Sequence, residues 1–440
     1  MKISRPNLIF IVADDLGYAD LGCYGGRAPV SPVLDRLAAN GIKFTQGYSN
    51  SPVCSPTRFA MITGRYQYRL RGAAEEPINS KSRGSDTLGL PVEHPTLPSL
   101  LRDSGYRTAL IGKWHLGYPP HFGPLRSGYE EFFGPMSGGV DYFTHCSSTG
   151  AHDLWLGEEE HIEPGYLTDL LSQRAVDYVN RMAQQQEPTD SPFFLSLHYT
   201  APHWPWETRD DEALAQEVKK NLFHLHGGNI HSYRRMIHHM DEGIGQLVEA
   251  LRRNGQADNT LLVFTSDNGG ERYSDNWPLV GGKMDLTEGG IRVPWIAHWP
   301  AQIAPGGVSA QHCMTMDWSA TFLDAAGVAA APDYPLDGVS LLPVLRAGSH
   351  CFSRPLHWRM NHRGQRALRD GDWKYLRVDD NDYLFNILAD ERERANHGQR
   401  EPLRLEAMRA AWEAWNATMP PIPADATVSL GFGVKDMPQR

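Results

Sequence analysis

The chain has 440 residues and a formal net charge of −10. That balance argues against nucleic acid as its main partner and makes any anion pocket a local feature. With 41% hydrophobic and 10% aromatic residues it has the composition of an ordinary globular protein, long enough for one large core plus a smaller domain.

The N-terminus, MKISRPNLIFIVADD, has basic residues before an apolar run, as a secretion signal would. The run is too short, however, and ends in two aspartates without a small-residue cleavage site. No later segment is long and apolar enough to span a membrane. The five cysteines, Cys23, Cys54, Cys146, Cys313 and Cys351, are widely spaced, odd in number and lack a C-x-x-C pair. A disulfide framework or zinc ribbon is therefore not expected, and a reducing, cytoplasmic setting is.

Along the chain, the short apolar runs NLIFIVA (7–13), RTALIG (107–112), FFLSLHY (193–199), TLLVFTS (260–266) and VPWIAHW (293–299) read as strands buried on both faces. Between them, SPVLDRLAANG (31–41), TLPSLLRDSG (96–105), residues 167–184 and residues 232–255 carry helical patterns. Residues 54–64 form a further helix candidate. Ser55 is the expected N-cap, Pro56 the first helical residue and Gly64 the stop. Alternating strands and helices predict an α/β fold: a large, mostly parallel mixed sheet sandwiched by helices, over residues 1–345. Past residue 345, RALRDGDWKYLRV and DYLFNI predict antiparallel strands with a turn at Asp370-Gly371, followed by a helix over 401–415. This predicts a smaller α+β unit over 346–440, ending in an irregular tail.

Chemistry collects at the strand ends. The run 7–13 leads into Asp14-Asp15, and 260–266 into Asp267-Asn268-Gly269-Gly270. The run 107–112 leads into Lys113-Trp114-His115, and 193–199 into Ala201-Pro202-His203. Ligands in open α/β sheets bind outside the carboxyl ends of the strands, so these groups should share one crevice. Asp14, Asp15, Asp267 and Asn268 form an all-oxygen set suited to Ca2+ or Mg2+ rather than zinc. Histidines 224, 226, 231, 238 and 239 show no tetrahedral pattern and are expected mostly at the surface. Arg58, Lys113, His115, His203 and Lys283, the last in GGKMDLTEGG, would surround the metal and suit a tetrahedral oxyanion. Cys54 sits at the start of its helix, where free N–H groups favour an anion or an activated nucleophile.

Cys54-Ser55-Pro56-Thr57-Arg58, continuing to Thr63-Gly64, resembles the C-x-P-x-R signature of the type I sulfatases, in the alkaline phosphatase superfamily. GYRTALIGKWHLG (105–117) resembles that family's second signature. The likeness continues through both acidic strand ends, APHWP, GGK…EGGIRVP and RDGDWKYL…LFNI, and so covers nearly the whole chain. Thr57 stands where the family more often has Ser or Ala. The resemblance implies an arylsulfatase-like hydrolase of sulfate monoesters. In it Cys54 is converted to formylglycine (3-oxoalanine) by a separate formylglycine-generating maturation enzyme. Asp14, Asp15, Asp267, Asn268 and residue 54 would hold Ca2+, or Mg2+. The aldehyde hydrate would attack sulfur, with Lys113 and Lys283 on the sulfate oxygens and His203 at the leaving oxygen. His115 would release the sulfated intermediate, and Arg58 would orient the hydrate.

The rival within the superfamily is a formylglycine-dependent phosphonate monoester or phosphodiester hydrolase. Those enzymes tend to depart from the Asp-Asp, Asp-Asn and Lys-x-His pairs, all kept here. A non-catalytic binder of sulfated ligands would have eroded catalytic positions, which this chain does not. The expected substrate is a small-molecule sulfate ester, an aryl sulfate in practice. Loops 66–92 and 116–166 would shape its pocket, and Trp204, Trp206, Tyr142, Phe143 and Trp277 would serve as an aromatic wall or as core.

Overall fold

The computed structural model describes residues 5–184, 192–218, 222–224, 227–347 and 352–429. The apolar runs form the middle of a ten-stranded sheet. Its order is Gly307–Ser309, Ile42–Phe44, Trp295–His298, Thr260–Ser266, Asn7–Ala13, Phe193–His198, Arg107–Gly112, Glu131–Gly134, Trp155–Leu156 and Glu159–Glu160. The five strands from Thr260–Ser266 to Glu131–Gly134 are parallel, while Trp295–His298 runs antiparallel to both its neighbours. The sheet is thus mostly parallel and mixed, as the sequence predicts.

The central strands read as continuous apolar runs because both their faces are covered. Along Asn7–Ala13, alternate side chains feed two cores. Ile9, Ile11 and Ala13 pack with helices Pro32–Ala39, Leu167–Gln184 and Ile230–Arg253, while Leu8, Phe10 and Val12 pack with Cys54–Thr63, Leu97–Asp103 and Met316–Ala326. Register brings the carboxyl ends level. Ala13 lies opposite Ser266, Val12 opposite His198, and His198 opposite Gly112. Gly112 has φ +117, and a Cβ there would stand 1.8 Å from the His198 carbonyl oxygen, so only glycine lets the neighbouring strand ends come so close.

Helix Cys54–Thr63 ends at Gly64 in the left-handed conformation, as expected. Its start differs from expectation. Val53 is the N-cap, and Ser55 lies inside the first turn, where its Oγ accepts from the Ile78 N–H at 2.9 Å. Pro56 is still tolerated because first-turn N–H groups have no intrahelical acceptor. The histidines also depart from expectation. His231 is exposed and His238 half-buried, but His224 and His239 are buried. His224 stacks on Trp206, and His239 meets Tyr166 edge-on from the inner face of its helix. His226 lies outside the described residues.

The C-terminal unit is a four-stranded antiparallel sheet, Leu356–Arg359, Arg366–Asp370, Trp373–Val378 and Asn381–Asn386. Gly371 (φ +53) makes the expected turn. Helix Pro402–Asn416 lays Met408 and Trp412 on Leu368, Tyr375 and Leu384. The first strand, LHWR, has no sequence signal of its own, since its His and Arg interrupt the apolar pattern. Beyond the helix the chain returns to the large domain. Glu76 N–H donates to the Thr427 carbonyl and Ser429 N–H to the Glu76 carbonyl, both at 2.9 Å. Residues 430–440 lie outside the described residues, as does Cys351. Among the described residues Cys23, Cys54, Cys146 and Cys313 are free thiols, and no helix is long and apolar enough to cross a membrane.

A buried ionic cluster joins the two units. Lys374 donates to Glu288 at 3.0 Å and lies 2.8 Å from Glu393, with all three side chains at most 1% exposed. Burial alone would raise the Glu288 carboxyl, but Lys374, Arg369 and Arg292 overcome it and hold it down at about 2. Removing one partner from such a pair leaves an uncompensated buried charge. Lys374→Met should therefore cost about 3–5 kcal/mol of stability, read as a lower denaturant midpoint. An unchanged midpoint would mean that the cluster contributes nothing to joining the units.

Candidate active site

Backbone bonds stitch the strand ends into one surface. Asp267 N–H donates to Ala13 and Asp14 N–H to Ala201, each at 3.1 Å. Tyr199 N–H donates to Val12 at 2.9 Å and Lys113 N–H to His198 at 2.8 Å. Asp15 (φ 63) and His115 (φ 62) both take the left-handed conformation, which costs a non-glycine residue energy and is concentrated at functional sites.

This surface brings together Asp14, Asp15, Cys54, Arg58, Lys113, His115, His203, Asp267, Asn268 and Lys283. Carboxylate oxygens of Asp14, Asp15 and Asp267 lie within 4.8 Å of one another, and Asp14, Cys54 and His203 form a second such group. The cations are interleaved with the acids. Lys113 Nζ donates to Asp14 at 2.5 Å and Lys283 Nζ to Asp15 at 2.7 Å. Arg58, 1% exposed, puts Nε and one terminal nitrogen on Asp267 at 3.0 and 2.8 Å, and the other on the Lys113 carbonyl at 3.1 Å. Arg58 thus braces the acids from beneath. Asn268 Nδ2 donates to Asp15 at 2.7 Å.

Two oxygens, Asp14 Oδ1 and Asn268 Oδ1, are buried with no hydrogen-bond partner. Unpaired buried acceptors beside crowded carboxylates suit a hard divalent cation, and the neighbouring Asp14, Cys54 and His203 group offers a softer metal only one sulfur and one ring nitrogen. The residues present therefore fit a resident Ca2+ or Mg2+. The protonation pattern reflects the crowding. Burial and the neighbouring Asp267 charge push the Asp14 carboxyl up to about 7. Burial also acts on Asp15, but Lys283 and His203 outweigh it and bring that carboxyl down to about 2. Burial pushes the Cys54 thiol up to about 12 against the pull of Lys113 and Lys283. The unmodified thiol is thus protonated and a poor nucleophile near neutrality.

Both histidines are oriented by backbone carbonyls. A carbonyl only accepts, so His115 carries its proton on Nε2, bonded to Ile78 at 2.7 Å, which leaves buried Nδ1 unpartnered. His203 carries its proton on Nδ1, bonded to the Trp204 carbonyl at 2.7 Å, and its Nε2 lies 3.6 Å from Asp15. Burial, reinforced by Lys113 for His115 and by Lys283 for His203, drives both rings well below the usual imidazole range.

Cys54, His115, His203 and Lys283 open onto a cavity of about 780 Å³. The expected loops wall it, with Ile78, Asn79 and Arg83 from one and Tyr118, Gly138 and Ser147 from the other. Of the five aromatics, only Trp204 lines it. Tyr142 and Trp206 are core, Phe143 packs against that core, and Trp277 is half exposed elsewhere. Thr57 pins the approach to Cys54, its hydroxyl donating to Ser51 C=O at 2.8 Å and accepting from Ser51 N–H at 2.9 Å. Sequence reasoning missed Glu271, a buried carboxylate three residues past Asn268 that lines the cavity. Burial pushes it up to about 7. A carboxylate in a glycine-rich strand-end turn was the available signal. Ser429, which accepts from Asn79 at 2.7 Å and also lines the cavity, is too distant in sequence to foresee.

The chain is similar to known proteins. Residues 6–328 match the sulfatase family model, and residues 282–378 match that of the N-sulphoglucosamine sulphohydrolase C-terminal region. Human N-acetylgalactosamine-6-sulfatase is 32% identical over 376 residues, covering 80% of this chain and 68% of that protein. Human arylsulfatase A is 32% identical over 401 residues, covering 85% and 75%. The crystal structure of Ps i-CgsB in complex with k-i-k-neocarrahexaose superposes with a TM-score of 0.84 at 33% identity, covering 94% of each chain. The chain belongs to the sulfatase family and is a sulfuric ester hydrolase.

Proposed function

We propose that this protein hydrolyses a sulfate monoester at residue 54, matured from cysteine to formylglycine, beside a Ca2+ or Mg2+ ion held by Asp14, Asp15, Asp267 and Asn268. The observation that carries the reading is the convergence of three carboxylates, two unpaired buried oxygens and Cys54 at the aligned strand ends. Once in place, the aldehyde hydrate and cation supply an activated oxygen nucleophile and charge neutralisation. The remaining work falls to the chain's own side chains. Lys113 and Lys283 stand beside the acids and bind sulfate oxygens. His203, with Nδ1–H committed to Trp204, keeps a bare Nε2 that would take up a proton given off by the attacking hydroxyl or by water and pass it to the leaving oxygen. His115, with Nε2 committed to Ile78, has Nδ1 available to take a proton from residue 54 after sulfuryl transfer. Arg58 holds Asp267 and the Lys113 backbone in register.

The leaving alcohol we infer is a sugar hydroxyl, with aryl sulfates as assay surrogates. Support comes from the roomy cavity, which sets Tyr118, Trp204 and Phe223 among polar groups, and from a relative named N-acetylgalactosamine-6-sulfatase and another crystallised with a neocarrahexaose.

A serine at position 54 can accept a sulfuryl group but has no aldehyde through which to expel it. Cys54→Ser should be trapped as the sulfated enzyme or nearly inactive, seen by mass spectrometry across residues 51–69 and by turnover. Turnover close to wild type would overturn the aldehyde reading. Lys113→Ala should lose about 10²–10³-fold in kcat while still binding the cation by calorimetry, and a near-neutral kcat would remove Lys113 from the site. Chelation should abolish activity, with readdition of Ca2+ or Mg2+ identifying the preferred ion. Undiminished turnover in chelator would exclude a required cation. The deciding comparison is kcat/KM for an aryl sulfate against an aryl phosphonate monoester, measured on matured, metal-loaded enzyme. Sulfate should be preferred; a phosphonate preference would reassign the substrate class.

A further inference from the structure

Glu271 is buried at the cavity wall, its side chain 8% exposed, and none of the steps above uses it. Its Oε2 accepts from the Trp204 indole N–H at 2.9 Å and lies 4.0 Å from Lys283 Nζ. Trp204 in turn covers His203, with ring centroids 4.0 Å apart, and its carbonyl is the acceptor that fixes the His203 tautomer. Lys283 Nζ stands 6.0 Å from the Trp204 ring centroid. Gly139 also leaves the two rings little slack, since a Cβ there would come within 3.1 Å of His203 and 3.3 Å of Trp204. One carboxylate therefore anchors the plate that sets both the position and the proton of His203, and it shares Lys283 with Asp15.

We propose that Glu271 is a positioning residue for leaving-group protonation, holding His203 in place through the Trp204 indole. The inference rests on the reading of His203 as the group at the leaving oxygen. An oriented proton donor matters most when the departing alkoxide is strongly basic and least when it is a stabilised phenolate. A misplaced His203 therefore shows itself as a steeper dependence of rate on leaving-group pKa, which general destabilisation of the enzyme would not produce.

The test measures kcat/KM over a series from 4-nitrophenyl sulfate through phenyl sulfate to an alkyl sulfate, on matured, metal-loaded enzyme. Glu271→Ala and Trp204→Phe, which both lose the indole bond, should lose about tenfold or more on the alkyl ester. On 4-nitrophenyl sulfate they should change far less. Glu271→Gln keeps an acceptor for the indole and should keep the wild-type slope, even if weaker pairing with Lys283 raises KM throughout. The double variant Glu271→Ala/Trp204→Phe should be no steeper than either single variant, because both act through one bond. An unchanged slope in Glu271→Ala, or equal losses across the series, would overturn the positioning role while leaving the functional reading intact. A wild-type slope that does not respond to His203→Ala would instead overturn the assignment of His203, and this proposal with it.

Discussion

The constraint on which the rest depends is electrostatic. Three aspartates are packed within 4.8 Å at the ends of two adjacent strands, away from bulk water. Like charges buried together are costly unless opposite charge and hydrogen bonds reach them. Three cations from three other parts of the chain do so: Arg58 from the helix after Cys54, Lys113 from a third strand end, and Lys283 from the glycine-rich loop. Each is placed by a different element, so the site exists only when the whole large domain is assembled.

The same constraint explains how binding and chemistry are divided. Arg58 is spent on Asp267 and the Lys113 backbone and does not line the cavity. Its fixed fork suits bracing. Lys283 reaches the cavity wall on a flexible stem, while Lys113 lies fully buried against Asp14. Burial keeps the Cys54 thiol protonated, so the site gains little from a free thiol there, which accords with cysteine as a precursor. The histidines are tuned in a complementary way. Each has one nitrogen tied to a backbone carbonyl, so the other is committed to the site.

The C-terminal unit takes part from a distance. Glu288, which opens the short helix after the Lys283 loop, is held from beneath by Lys374. The chain's last described residues pair with Glu76 and Asn79, beside the Ile78 carbonyl that orients His115. The small sheet thus steadies two loops that carry or support groups facing the cavity, although it contributes few of the lining residues itself.

The sequence by itself determined most of the parallel core, because strands buried on both faces must be written as unbroken apolar runs. Four of the five runs are parallel neighbours, while Trp295–His298 runs antiparallel and the parallel strand Glu131–Gly134 carries no such run. It also marked the strand-end residues Asp14, Asp15, Lys113, His115, Asp267 and Asn268 as neighbours, because charged and polar residues directly after buried strands have no core role to fill. Local signals misplaced the cap at Ser55, since a serine competent to cap a helix was instead drawn to the Ile78 N–H from another loop. They also left His224 and His239 at the surface, where rings of Trp206 and Tyr166 far along the chain bury them. Only the tertiary structure decided which aromatics face the cavity, which nitrogen of each histidine is free, and that Glu271 and Ser429 stand beside the site. Those depend on partners tens to hundreds of residues away, and no local period or motif encodes a distance between segments that meet only on folding.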